Sequence, residues 1–522
     1  MSLLLSDLLS RGYFPKELPP PFTTSEYSQA LSTEDPSKVI TNFSDGEKSS
    51  LPSTHNLIRT GGLRRNLSIP NPKHFFLLAD HIVKNWTNFI DFTEKSPFSL
   101  SKPIASKKNR AISPSHELSN RPDFRAKFRA TNRFLLKADI SRFFPSIYTH
   151  SIPWAVLGKT VAKSQFSSGI LKNTWSDLTD KYSRSLFKNQ TIGIPIGPDT
   201  SHLIAEVILT RIDIDLSNKF NKINGIRYID DYEFSFATRS QAEDVLSYFQ
   251  HLLNDFELAL NSNKTKIIDL PEPLEQPWAS KIRTFEFRNI NATGQKNDLI
   301  AYFNMVFDFF KGYPDEWLLK YAISRLKSEK IKKENLNLFE NLMIHCILID
   351  PACIPQVCEQ ILNYKESFSI NIEFWSECLN RIVSERVPLG QSSEAAWAMW
   401  LMKLLHIRLE EKSAKAVGDT EDSVVGLMGL GLASIGLATS TDLTGLNRFL
   451  DKDKLFENQW LLCYQGNLMG WFGSKGSRKN LSSDLAFAYM EQKNVSFFDI
   501  NIPLTPPNKH SEPLKKEITT TY

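Results

Sequence analysis

Apolar positions change period several times along the chain, and each change marks a predicted element. From about Asn71 to Phe92 they recur at helical spacing. A strand over 134–140 comes next, ending at Asp139, and then a helical stretch over about 154–180. The loop 193–199 holds Pro195, Gly197 and Pro198. Asp199 or Thr200 is placed to cap the next helix, in which Leu203, Val207, Ile208 and Ile212 share a face. Two apolar runs, 225–229 and 232–236, flank Asp230-Asp231 and predict a hairpin with the acids at its tip. Ser240-Gln-Ala-Glu243 reads as a capping box opening a helix through Leu260, with further strands over 264–270 and 282–290. From about Asp298 to Gln492 the pattern is helical almost throughout. Residues 1–60, rich in Pro, Ser and Thr, predict an extended arm with short structured pieces, and 501–522 a loose tail. The order strand, helix, loop-helix, hairpin, helix, strand predicts an α+β unit followed by a large all-α region.

Composition adds little to this until it is localised. With 41% hydrophobic and 23% charged residues the chain reads as folded, and 522 residues suffice for several domains. A net charge of +4 does not point to a nucleic-acid partner. Between Ser101 and Arg142, however, eleven Lys or Arg stand against three acids, a local excess suited to backbone phosphates. Five cysteines form no disulfide framework. Cys346, Cys353 and Cys358 beside His345 lack the pairing of a zinc site and are expected to be buried thiols, in keeping with a reducing cytoplasm. The N-terminus has neither the basic start nor the cleavage site of a secretory signal. The run 423–440 barely reaches spanning length and holds four glycines, so it predicts a closely packed buried helix pair and no membrane partner.

The chemistry rests on Asp139, Asp230 and Asp231. If the strands bearing them are neighbours, the carboxylates converge, and three such charges repel unless a divalent cation neutralises them. Magnesium is the expected ion, with manganese as a substitute, because it takes hard oxygen ligands and shares substrate phosphates. Two ions could activate a primer hydroxyl and stabilise the leaving pyrophosphate.

The joint arrangement resembles the reverse transcriptases. FLLKADISRFFPSI (134–147) is similar to their motif A, IGIPIGPDTSHLIAEVIL (192–209) to motif B, RYIDDYEFSF (227–236) to motif C and LNSNKTKI (260–267) to motif D, in the family's order. The resemblance implies a right-hand polymerase of α+β class: arm 1–60, fingers 61–133, palm 134–290 carrying motifs A to E with a fingers insertion at about 154–190, helical thumb and C-terminal α domain 291–500, and tail 501–522. It implies Asp139, Asp230 and Asp231 as catalytic acids, with the Ile140 backbone also near a metal. Phe144 falls at the family's steric gate, Lys264 at its general acid, and Arg110, with Lys102 beside it as a weaker candidate, at its triphosphate contact. Gly197 would admit the nucleotide and template. Ile196 stands where many retroviral-type enzymes have Gln, which leaves the hold on the template base in doubt.

The flanking segments 11–22, 67–86, 139–159 and 458–472 resemble the bacterial defence-associated, abortive-infection-like branch. That branch implies DNA synthesis against phage, with an RNA template (in some members a dedicated non-coding RNA), a DNA product and dNTPs as partners. It also implies homo-oligomers built through the helical domain, to which the run 423–440 could contribute. Other members work without a template and prime from a tyrosine, for which Tyr13, Tyr464, Tyr489 and Tyr522 are candidates. A non-catalytic RNA-binding scaffold and an RNA-dependent RNA polymerase are the remaining alternatives. The intact acids weigh against the first, and Phe144 with Tyr228-Ile229-Asp230-Asp231 against the second.

Overall fold

The computed structural model describes residues 2–288, 291–364, 370–471 and 484–503. Two short antiparallel hairpins precede the central sheet: β1 (Ser53–Ile58) with β2 (Arg64–Ile69), and β3 (Pro103–Ala105) with β4 (Ile112–Pro114). The central sheet holds β5 (Phe134–Asp139), β6 (Asn224–Tyr228), β7 (Asp231–Phe236) and β8 (Lys266–Asp269), all antiparallel, in the order β6-β7-β5-β8. Side chains alternate between faces along a strand, so the register decides what each face carries. Leu136 and Ala138 of β5 lie opposite Phe234 and Tyr232 of β7. On that face Phe249 of the helix Arg239–Asp255 meets the Tyr232 ring at 4.6 Å between centroids. The other face carries Leu135, Lys137 and Asp139 opposite Ser235, Glu233 and Asp231, and the helix Arg121–Arg129 covers it.

Several boundaries differ from expectation. The capping box is Thr238 with Gln241, two residues before the predicted Ser240, and its helix stops at Asp255 because Glu257 turns the chain with a positive φ of 59°. The stretch over 154–180 is three helices, Ser151–Leu157, Lys159–Ser167 and Trp175–Ser185. The strand expected over 282–290 is absent among its described residues. Pro277–Thr284 is a helix, opened by Pro277 at its first turn and burying Trp278 and Ile282, four residues apart. Residues 289–290 of that stretch lie outside the described residues, as does the tail from 504 on.

The N-terminal sixty residues are not an extended arm. They form the helices Leu5–Arg11, Ser25–Ser32 and Pro36–Ser44, and Leu8, Leu9, Tyr13 and Tyr27 are fully buried. Aromatic rings do this work: Tyr13 stacks on Phe75 at 4.0 Å and packs edge-on to Phe497. Every described element after β8 is helical, from Pro277–Thr284 to Leu485–Gln492. These helices grip the β1–β2 hairpin and the start of the helix Pro72–Lys84. Glu394 takes two hydrogen bonds from Arg64 at 2.9 and 2.7 Å, Trp460 Nε1 donates to the Ile69 carbonyl, and buried Lys73 pairs with Asp484.

The glycine-rich run forms one helix, Ser423–Ser434, rather than a pair. Added β-carbons at Gly429 and Gly431 would meet Val417 at 2.5 Å and Phe498 at 2.7 Å, so the glycines serve packing within the chain. The helix is buried from Ser423 to Leu432 against other parts of the same chain. All five cysteines are buried free thiols, and burial raises their pKa. No helix among the described residues is long and apolar enough to cross a membrane.

Candidate active site

Register brings the acids together. Asp139 and Asp231 are direct partners across β5 and β7, and the Ile140 amide donates to the Asp230 carbonyl at 3.4 Å. The β6–β7 connection is two residues, Ile229 and Asp230, with only the first at positive φ (52°), the signature of a type II′ turn. A β-branched residue is strained there. The strain is held down from both sides: the Ile229 amide donates to Ser101 Oγ at 2.7 Å, and its carbonyl accepts from Arg227 Nη1 at 3.1 Å.

Beneath this tip lies a fully buried ionic network. Arg227 donates to both carboxylate oxygens of Glu206 at 2.9 and 3.0 Å and to Asp213 at 2.8 Å through Nε. Ser99 and Ser101 complete Glu206, and Ser96 with the Tyr232 hydroxyl completes Asp213. Paired and hydrogen-bonded on all sides, the charges tolerate burial that would otherwise expel them.

The carboxylates at the hairpin tip are treated differently. Burial first, then the charges of Asp231 and Asp139, pushes the Asp230 carboxyl well above the ordinary range. Asp231 is raised by burial, against the opposing pull of Arg121. Arg121 Nη2 reaches Asp231 at 3.2 Å, and Lys264 Nζ and Asn261 Nδ2 reach Asp139, each at 3.1 Å. No three metal-binding side chains among the described residues form a ready cage. The donor set nonetheless fits a divalent cation: hard oxygens, mutual repulsion, and in Asp230 a half-buried acid with no ion-pair partner among the described residues.

Other expected residues are placed less as anticipated. Arg110 donates to Asp199, to the Phe14 carbonyl at 2.7 Å and to the Gly197 carbonyl at 2.9 Å, so most of its fork is committed within the protein. Asp199 accordingly does not cap its helix; its carboxylate accepts from Arg110 and from the Ala111 and Ile112 amides. Lys102 turns to Glu94 at 3.1 Å. Gly197 has φ +129°, but a β-carbon there would strike Pro15 at 2.5 Å, so its openness is used by the N-terminal segment. Phe144 is half-buried, 5.4 Å from Phe143, with its carbonyl accepting from Ile194. Among the tyrosines, Tyr13 and Tyr464 are fully buried, donating to the Pro70 and Val495 carbonyls, and Tyr489 donates to Ala30. Tyr522 lies outside the described residues.

The basic run also proves internal in large part. Lys102, Lys108, Arg110, Arg121, Arg125, Arg129 and Lys137 all have carboxylate partners. A better-placed cation escaped the sequence reading. Arg65 of β2 is largely buried, makes no side-chain hydrogen bond or ion pair among the described residues, and its charge acts on both Asp230 and Asp139. It lines a cleft of about 520 Å³ that ends at Tyr228 and Ile229 of the hairpin. The far wall is helical and includes Trp317, Lys320, Gln356 and Trp397. Only the alternation of β2 (Arg64 to Glu394, Arg65 to the cleft) could have singled out Arg65 in the sequence.

Residues 97–295 match the family model for reverse transcriptase (RNA-dependent DNA polymerase). The chain carries a reverse transcriptase domain. The Asp230-Asp231 hairpin, its buried network and Asp139 all fall inside the matched residues, and the domain makes the chain an RNA-directed DNA polymerase, a nucleotidyltransferase. Two telomerase structures are also similar. The apo enzyme from Candida tropicalis has a TM-score of 0.34 and 10% identity over 73% of this chain and 71% of that one. The Candida albicans enzyme, in complex with a TWJ fragment of telomeric RNA, has a TM-score of 0.28 and 11% identity over 72% and 69%. No curated protein matches the chain.

Proposed function

We propose that this reverse transcriptase domain works in a bacterial antiphage defence system, copying an associated non-coding RNA into DNA in the cytoplasm by two-metal nucleotidyl transfer. The observation that carries the catalytic part is the pairing of Asp139 with Asp231 beside a half-buried, charge-destabilised Asp230. The defence assignment is supported by the resemblance of segments 11–22, 67–86, 139–159 and 458–472 to that branch.

Asp139, Asp230 and Asp231, with the Ile140 carbonyl, would hold two magnesium or manganese ions. Bound there, the ions supply charge neutralisation and Lewis acidity for in-line attack on the nucleotide. The chain's own groups do the rest. The Arg227 network fixes the hairpin so that the acids need not reorganise. Arg65 and Lys320 face the cleft as cations for phosphates. Lys264 Nζ, beside Asp139, is placed to give a proton to the leaving pyrophosphate once released from that carboxylate. Phe144 would crowd a ribose 2′-hydroxyl.

A second reading, template-independent and protein-primed synthesis, is supported by the same resemblance of the flanking segments to the abortive-infection branch. Incorporation by the purified chain with magnesium, before and after RNase, beside Asp230→Ala/Asp231→Ala, separates the two. Synthesis lost with both treatments supports the templated reading. Synthesis that survives RNase supports the second. No incorporation by the wild-type chain, even with its native RNA supplied, sinks both.

A further inference from the structure

Two cations close on the acidic cluster, and they are not equivalent. Lys264 is more than half exposed and free to swing, whereas the Arg121 side chain is 11% exposed and held on the first turn of its helix. One and two turns further, Arg125 and Arg129 both bind Glu233, which lies beyond Asp231 on the same face of β7. Glu233 is thereby satisfied, and Asp231 is the one carboxylate left to Arg121. The fit is incomplete, since the buried Arg121 Nε has no hydrogen-bond partner. The guanidinium also lies 4.8 Å over the ring of Tyr228, the residue opposite Asp231 across β6 and β7. Arg121 therefore touches two seats at once, a carboxylate and an aromatic face, and a guanidinium is stabilised by either.

We infer that Arg121 is a placeholder cation, which neutralises Asp231 while no divalent ion is bound and retires onto the Tyr228 ring when one arrives. The inference rests on the metal-dependent reading above. Three carboxylates that must lie close for catalysis repel one another before metal enters. An arginine on the outermost acid relieves that repulsion without a permanent claim on it. The same contact competes with the ion, so Arg121 weakens divalent binding and stabilises the metal-free protein. It is a positioning residue, acting through Asp231.

The test uses the full-length chain without nucleotide: manganese binding followed by the EPR signal of the free ion, and thermal melts in EDTA and in manganese. Arg121→Gln is expected to bind manganese about tenfold more tightly, the scale of one lost charge-assisted hydrogen bond. It should also melt earlier in EDTA and regain more on adding metal. Arg121→Lys keeps the charge and should fall between Arg121→Gln and wild type. Tyr228→Leu removes the second seat and should weaken manganese binding, which tests the idea even if Arg121→Gln folds poorly. Unchanged or weaker affinity in Arg121→Gln, or unchanged affinity in Tyr228→Leu, overturns the placeholder role alone. A wild-type chain that binds no manganese, like Asp230→Ala/Asp231→Ala, overturns the metal-dependent reading itself.

Discussion

Arg227 and Glu206 form a two-point ion pair at 2.9 and 3.0 Å directly beneath the Asp230-Asp231 hairpin, and neither side chain is exposed to solvent. Removing the arginine would strand two buried carboxylates, Glu206 and Asp213, and release the strained Ile229 carbonyl. Arg227→Met is therefore expected to cost about 3–5 kcal/mol of stability, the range for breaking a buried pair on one side. Urea unfolding measures it. Ser101→Ala, which removes one neutral donor to Glu206 and the acceptor of the Ile229 amide, should cost less, about 2 kcal/mol. Equal effects of the two would show that Ser101, rather than the arginine, organises the network.

Asp230 presents the opposite trade. Its carboxylate is half-buried among like charges, so ionising it costs stability in the metal-free protein. Asp230→Asn should abolish nucleotide incorporation and yet raise the melting temperature in EDTA, with a gain of about 1–3 kcal/mol for relief of one half-buried charge. A variant that is both inactive and less stable than wild type in EDTA would mean that Asp230 is held by favourable contacts.

The contrast between these two sites explains what the sequence could convey. The strand ending at Asp139 and the hairpin around Asp230 were legible because a period of two and a turn between apolar runs depend on neighbours in the chain. The roles of Arg110, Lys102 and the arginines 121, 125 and 129 were not. A basic run reads the same whether it faces phosphate or, as here, a partner carboxylate that is for Arg110 and Arg125 far along the chain and for Lys102 a few residues away. The N-terminal segment misled for a related reason: its Pro and Ser content suggested an arm, while aromatics within it such as Tyr13 and Tyr27 bury themselves against a ring hundreds of residues away. The strand expected over 282–290 failed because a short apolar run does not by itself specify a strand: the helix opened by Pro277 takes its first residues through Thr284, and 285–288 form no regular element.

Gly197 offers a test of how the N-terminal segment serves the site. A β-carbon there meets Pro15 Cγ at 2.5 Å and Cβ at 2.9 Å, and the backbone is at φ +129°. Gly197→Ala should destabilise by about 1–3 kcal/mol through overpacking and backbone strain. Pro15→Gly removes the colliding ring, so the double variant should recover the steric part and leave the conformational part. A double-mutant cycle with no coupling would show that Pro15 yields freely.

Acid sensitivity should trace to His74. Its Nδ1 lies 2.8 Å from Ser50 Oγ and its Nε2 3.1 Å from the Glu47 carbonyl, so the neutral ring donates to Glu47 and accepts from Ser50. Burial lowers its pKa from 6.5 to about 4, against the hydrogen bond to Glu47 and with some help from Lys73 and Lys48. The unfolded chain takes up a proton near pH 6.5, where the folded chain refuses it. The stabilisation is thus full above pH 6.5 and lost as pH falls toward 4, by about 3 kcal/mol over the window. Buried His81, also lowered, acts in the same direction, while the raised Asp230 acts oppositely. Comparing His74→Gln with wild type cancels those other groups. Urea midpoints at pH 7.5 and pH 5 should show the wild-type chain losing about 2 kcal/mol more than the variant. Parallel losses would mean that His74 is already protonated in the folded protein, and that Ser50 and Glu47 do not hold the neutral ring.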